Sequence, residues 1–117
     1  MILELHKTEL APDLCQVEFV GRLLMGNDSR QVEWSVSELL VAGAKKVIFD
    51  LAMLEAIDST GVGIIVMCHA RLQKAGGNLS IAGAQGIVLE TLQMTHVDRL
   101  LPLFATSKEA AEHFVAA

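Results

Sequence analysis

The chain has 117 residues, 52% of them hydrophobic, and its 14 acidic against 9 Lys or Arg side chains leave a formal net charge of −5. That is the length of one domain, with enough apolar material for a single core that needs neither disulfides nor metal. The acidic balance, the absence of tyrosine and an aromatic content of 4% provide no basic face for a phosphate backbone and no platform for stacked bases, so nucleic-acid binding is not expected.

Met1-Ile2-Leu3-Glu4 lacks the basic and long apolar segments of a secretory signal, and Ile2 to Thr8 suits a first strand. Ala11-Pro12-Asp13 reads as a turn. Leu14 to Val20 then alternates, with Cys15, Val17 and Phe19 on one face and Gln16 and Glu18 on the other, which makes a hairpin. Gly21 to Gly26 leads into a loop. Asn27-Asp28-Ser29 opens a helix, with Asp28 and Gln31 spaced as a capping box. Val32, Val36, Leu39 and Leu40 recur at helical spacing, and Gly43 is placed to stop the helix. Lys46 to Leu51 is a short β-branched and apolar run, as in a buried parallel strand.

Ala52 to Ile57 reads as a connecting loop. A second helix is expected over Thr60 to Ala75, with Val62, Ile65, Val66, His69 and Leu72 on one stripe and Gly76-Gly77 as its end. Its apolar run, around Gly61 to Cys68, is far short of the ~20 residues of a membrane span, so no membrane insertion is expected. Asn78 to Ala82 suits a strand, and Gln85 to Met94 a third helix with Val88 and Leu92 inward. Leu101 to Ala105 suits a short last strand, where Pro102 fits an edge. Thr106-Ser107-Lys108-Glu109 has the form of a capping box for a last helix that buries Ala110, Ala111 and Phe114. Cys15 and Cys68 form no CxxC pair and lie in apolar runs, which predicts reduced, buried thiols in a cytoplasmic protein. The order ββαβαβαβα predicts an α/β fold in one domain over residues 1–117. Its sheet is small, mixed and mostly parallel, with four to five strands, an N-terminal hairpin and helices packed on it.

The stretch Ile57-Asp58-Ser59-Thr60-Gly61-Val62-Gly63 stands where the second helix begins. Asp, Ser and Thr are all preferred N-caps, so helix capping alone accounts for the pattern. A hydrolase elbow needs G-x-S-x-G, but Ile57 occupies the first glycine position, and His6, His69, His96 and His113 offer no evident partner. GxxxxGK[ST] is absent, and Gly76-Gly77 and Gly83-Ala84-Gln85-Gly86 do not make GxGxxG. No catalytic residue, metal ligand or cofactor site emerges. The remaining chemistry is that of a phosphoryl acceptor, because a phosphate at a helix N-terminus meets free N–H groups and the positive end of the dipole.

Nearly the whole chain resembles the STAS-domain family, specifically its anti-sigma factor antagonists. The resemblance rests on Lys46-Val47-Ile48-Phe49-Asp50-Leu51, the spacer to Ile57, Asp58-Ser59-Thr60-Gly61-Val62-Gly63, the helix into Lys74-Ala75-Gly76-Gly77-Asn78-Leu79, and Leu89 to Val97. It implies a STAS fold and a protein that is not an enzyme. It implies Ser59 as the phosphoacceptor, with Thr60 as a weaker candidate, and a partner-binding surface around Asp58, Ser59, Thr60, Gly61, Val62 and Gly63. It implies as partners an anti-sigma factor that is also a serine kinase of the histidine-kinase-like ATPase fold, and a PP2C-type phosphatase. The unphosphorylated form would bind the anti-sigma factor, and phosphorylation would end that binding. The same fold also serves as a non-switching scaffold or sensor subunit, and as a small subunit of a phospholipid-transport ABC complex. Where many antagonists carry a G-x-L-D pattern after the second strand, this chain has Gly21-Arg22-Leu23-Leu24, and Asp28 comes four residues later. Leu24, Met25, Met53 and Leu54 are candidates for either a partner-facing surface or the core. The sequence assigns no oligomeric state.

Overall fold

A computed structural model describes residues 3–116, apart from the side chains of 27–29 and 115–116. The elements are β1 (Glu4–Ala11), β2 (Leu14–Leu23), α1 (Asn27–Val41), β3 (Lys46–Ile57), α2 (Ser59–Lys74), β4 (Asn78–Ala82), α3 (Gly86–Met94), a 3₁₀ turn (Val97–Arg99), β5 (Leu103–Phe104) and α4 (Ser107–Ala116). Ile2, assigned above to the first strand, lies outside the described residues. The strands form one sheet in the order β1-β2-β3-β4-β5. β1 and β2 pair antiparallel across Pro12-Asp13, and the other neighbours pair parallel. This is the mixed, mostly parallel sheet with an N-terminal hairpin that the element order predicts.

The pleat sorts side chains onto two faces. Val17, Phe19, Val47, Phe49, Leu79 and Ile81 point to one side and meet Val32 and Val36 of α1, Ile65, Cys68 and Leu72 of α2, and Val88 and Leu92 of α3. Phe19 and Phe49 anchor this layer with ring centroids 4.8 Å apart. α4 covers the other side, where Ala110 and Phe114 meet Leu14, Ile48 and Ala82. Its first turn is capped as the sequence suggests: Thr106 Oγ1 accepts from the Glu109 N–H at 3.2 Å.

Four expectations are corrected. Ala52–Ile57 is no loop, because β3 continues to Ile57. β2 likewise continues past Val20, and the two pair from Val20↔Met53 to Leu23↔Ile57. The register shifts between Glu18 and Val20 and again between Gly21 and Arg22. Such irregularities break the period of two: Ala52 and Met53 are exposed side by side between buried Leu51 and Leu54, so the run does not read as a strand. Cys15 is half-buried rather than buried, although both thiols are free. The inward stripe of α2 includes Ile64 and Cys68, while Val66 and His69 are only half-buried. α1 starts at Asn27 behind Gly26, and the Asp28–Gln31 capping pair rests on a side chain outside the described residues. Among the described residues, no helix is long and apolar enough to cross a membrane.

Candidate functional site

β3 delivers the chain to Asp58, whose extended backbone (φ −114°, ψ −176°) turns it into α2. Of the three cap-forming side chains in a row, Asp58 is the cap. Its Oδ1 accepts from the Gly61 N–H at 2.9 Å, and its Oδ2 accepts from the Met25 N–H at 2.9 Å. Its carbonyl accepts the first helical bond, from the Val62 N–H at 2.9 Å, and its own N–H donates to the Leu23 carbonyl at 3.4 Å. Both carboxylate oxygens are thus committed to backbone donors, one in α2 and one in the β2–α1 loop. The bond to Met25 has no sequence signal, since the two residues lie 33 positions apart.

With Asp58 as the cap, Ser59 is the first helical residue, one earlier than the sequence suggests, and it is exposed. Thr60 behind it is half-buried. A helix start leaves its first N–H groups without intrahelical partners. Here Asp58 takes that of Gly61, and those of Ser59 and Thr60 have no partner among the described residues. Two free donors and the positive end of a 16-residue helix therefore surround an exposed hydroxyl.

The other candidates separate by burial. Gly61 is buried, and a Cβ there would lie 2.6 Å from the Leu23 carbonyl oxygen, so the close approach at this glycine comes from its own chain. Val62 is also buried, at 7% exposure. Gly63 is exposed and open on its outer side. Ser59, Gly63 and Met67 follow at intervals of four along one outward stripe of α2. Met25, beside Asp58, is exposed, as is Met53; Leu54 is buried and Leu24 half-buried.

Other nucleophiles are muted. Burial pushes the Cys68 thiol up to about 12, against the pull of Arg71 and with a further push from Glu33. Burial, then Glu9, raises that of Cys15, with Lys7 opposing. Asp50 accepts from the Ala52 N–H at 3.0 Å within its own strand. Among the described residues, no three His, Cys, Asp or Glu side chains gather to hold a metal ion.

Comparison with known proteins places the chain and its fold. A protein of Thermotoga maritima named as a candidate anti-sigma factor antagonist is 29% identical over 97 residues, which cover 77% of this chain and 86% of that protein. The crystal structure of a candidate anti-sigma factor antagonist from Thermotoga maritima superposes with a TM-score of 0.84 at 25% identity, covering 93% of this chain and 92% of that one. The Bacillus cell-fate determinant SpoIIAA in its phosphorylated form superposes at 0.75 with 16% identity, over 95% of this chain and 99% of that one, which speaks for the fold alone. The STAS domain family model matches residues 6–110, and the chain therefore belongs to the STAS domain family.

Proposed function

We propose that this chain is an anti-sigma factor antagonist whose grip on an anti-sigma factor is released by phosphorylation of Ser59. The observation that carries the reading is the division of labour at the start of α2. Asp58 does the capping, which leaves the Ser59 hydroxyl exposed among unpaired N–H donors. The name of the Thermotoga relative supports the reading. So does the existence of a phosphorylated form of SpoIIAA, a protein of the same fold.

The chemistry belongs to the partner. Ser59 Oγ would attack the γ-phosphorus of ATP; the O–P bond forms, the bond to the ADP oxygen breaks, and the hydroxyl proton passes to a base. Asp58 is a poor base because both its oxygens already accept hydrogen bonds. The base, nucleotide and Mg²⁺ are therefore supplied by the anti-sigma factor acting as a serine kinase of the histidine-kinase-like ATPase fold. The product carries ~1.5 to 2 added negative charges beside Asp58, held by the Ser59 and Thr60 N–H groups. The exposed stripe Ser59, Gly63 and Met67, with Met25 beside it, is the face that this charge spoils for the partner. Asp58 and Gly61 shape that face, Thr60 borders it, and Val62 packs beneath it. A PP2C-type phosphatase resets the switch by hydrolysis. In this reading residues 1–117 act as one cytoplasmic unit that is substrate and ligand, not an enzyme.

The test combines binding with mass spectrometry of the chain from its own cells. Ser59→Ala keeps the kinase bound and abolishes phosphorylation; Ser59→Asp weakens binding. Full-rate phosphorylation of Ser59→Ala moves the assignment to Thr60. A Ser59 left unmodified in every growth condition makes the chain a non-switching scaffold or transport subunit instead.

A further inference from the structure

β5 is two residues long and pairs only with Ile81 and Ala82. The rest of β4, Asn78 to Ser80, therefore has no strand on that side among the described residues. α2 from one face of the sheet and α4 from the other converge on this gap and flank an open cavity of about 290 Å³. It lies near the C-terminal end of α2, at the far end of that helix from Ser59.

The polar lining is His69, Gln73, Asn78, Ser80 and His113. Two of its atoms are buried without a hydrogen-bond partner among the described residues: His69 Nδ1 and Ser80 Oγ. Ser80 is fully buried. An unpaired buried hydroxyl costs stability, and packing does not call for one: alanine would fit the same space. The backbone adds a donor. The Ile81 and Gly83 N–H groups point to the β5 side, to the carbonyls of Pro102 and Phe104. Alternation along the strand directs the N–H of Leu79 to the same side, where β5 is missing.

We propose that this cavity binds a small, uncharged, planar nitrogen heterocycle of nucleobase size. Lys, Arg, Asp and Glu are absent from the lining, so no permanently charged side chain there balances a formal ligand charge. The hydroxyl, imidazole and carboxamide groups each offer donors or acceptors, the complement of a ring edge that carries both. Pro102, Phe114 and His113 contribute ring side chains to the lining. The volume sits at the low end of small-molecule sites, with room for one or two rings but not for a nucleotide.

The test is an NMR titration of the full chain with adenine, reading the Leu79 and Ser80 amides and the His69 and His113 ring signals. Saturable shifts confined to these groups are expected. Ser80→Ala and His69→Gln should each weaken adenine binding by about tenfold. Without ligand, Ser80→Ala should unfold at the same or a higher urea concentration, because it removes an unpaired group. The proposal fails if neither adenine, cytosine nor nicotinamide gives a saturable shift at about 10 mM, a very weak limit. It fails equally if inorganic phosphate or zinc chloride binds more tightly than these, or if Ser80→Ala lowers the urea midpoint. None of these readouts depends on the state of Ser59.

Discussion

Gly61 and Gly63 look alike in the sequence, two residues apart at a helix start, yet their surroundings differ. Gly61 is pressed against Leu23 and Ile57, whereas Gly63 has nothing within 4 Å of an added Cβ. Gly61→Ala should lower the unfolding free energy by about 1–3 kcal/mol, because backbone must move. Gly63→Ala should raise it by up to about 1 kcal/mol, since alanine is the better helix former. Urea unfolding of the two variants reads both signs. If Gly63 touches the partner, its alanine variant is more stable and binds less well. The sequence shows that a cap is present but not which residue forms it, because Asp58, Ser59 and Thr60 are all competent. The exit angle of β3 decides that, and the angle depends on pairing with β2.

At the scale of elements, one carboxylate joins two segments distant in sequence. Asp58 holds the start of α2 through Gly61 and the β2–α1 loop through Met25. Asp58→Ala removes both bonds and should cost about 1–2 kcal/mol. A carboxamide has one acceptor oxygen in place of two. Asp58→Asn should therefore lie between, with either the Met25 or the Gly61 amide gaining hydrogen-exchange rate and the other staying protected. Equal protection of both in the asparagine variant would contradict this geometry. The helices were legible because 3.6-residue periodicity survives local irregularity. The second half of β3 was not, because two register shifts scramble a period of two over only six residues, Ala52 to Ile57. The 3₁₀ turn at Val97–Arg99 is too short to leave a periodic signal.

For the whole molecule, the core links stability to alkaline pH through Cys68. Its thiol is held at about 12 in the fold against an ordinary 9.0. Between those values the unfolded chain has lost a proton that the folded chain keeps, so stability falls as pH rises, by up to about 1.4 kcal/mol per pH unit. Below 9.0 the contribution is complete. The chain has no tyrosine, which removes one competing titration from that window. Urea unfolding between pH 8 and 10 measures the slope, which should be shallower in Cys68→Ala, where only the raised Cys15 thiol still contributes. A thiol reagent at pH 8 should label native Cys15 and spare Cys68 until the chain unfolds. The α/β class, the hairpin and the parallel order were all legible, because alternating strand and helix patterns leave few ways to cover a sheet. The cavity beside β4 was not, since it depends on where a two-residue strand stops.

The strictly sequential order of the strands bears on how the chain comes into being. Each strand pairs only with strands made just before or just after it, so none waits for a distant segment to complete its ladder. At the usual pace of a ribosome the chain emerges in roughly ten seconds, slowly against the micro- to millisecond steps of local pairing. The sheet and its α1–α2 layer can assemble vectorially, from the amino end onward. The face that α4 covers stays bare until α4 itself is made: Leu14, Ile48 and Ala82 are synthesised well before the helix that shelters them. That interval is when a nascent chain of this topology is most exposed to aggregation and most in need of a chaperone.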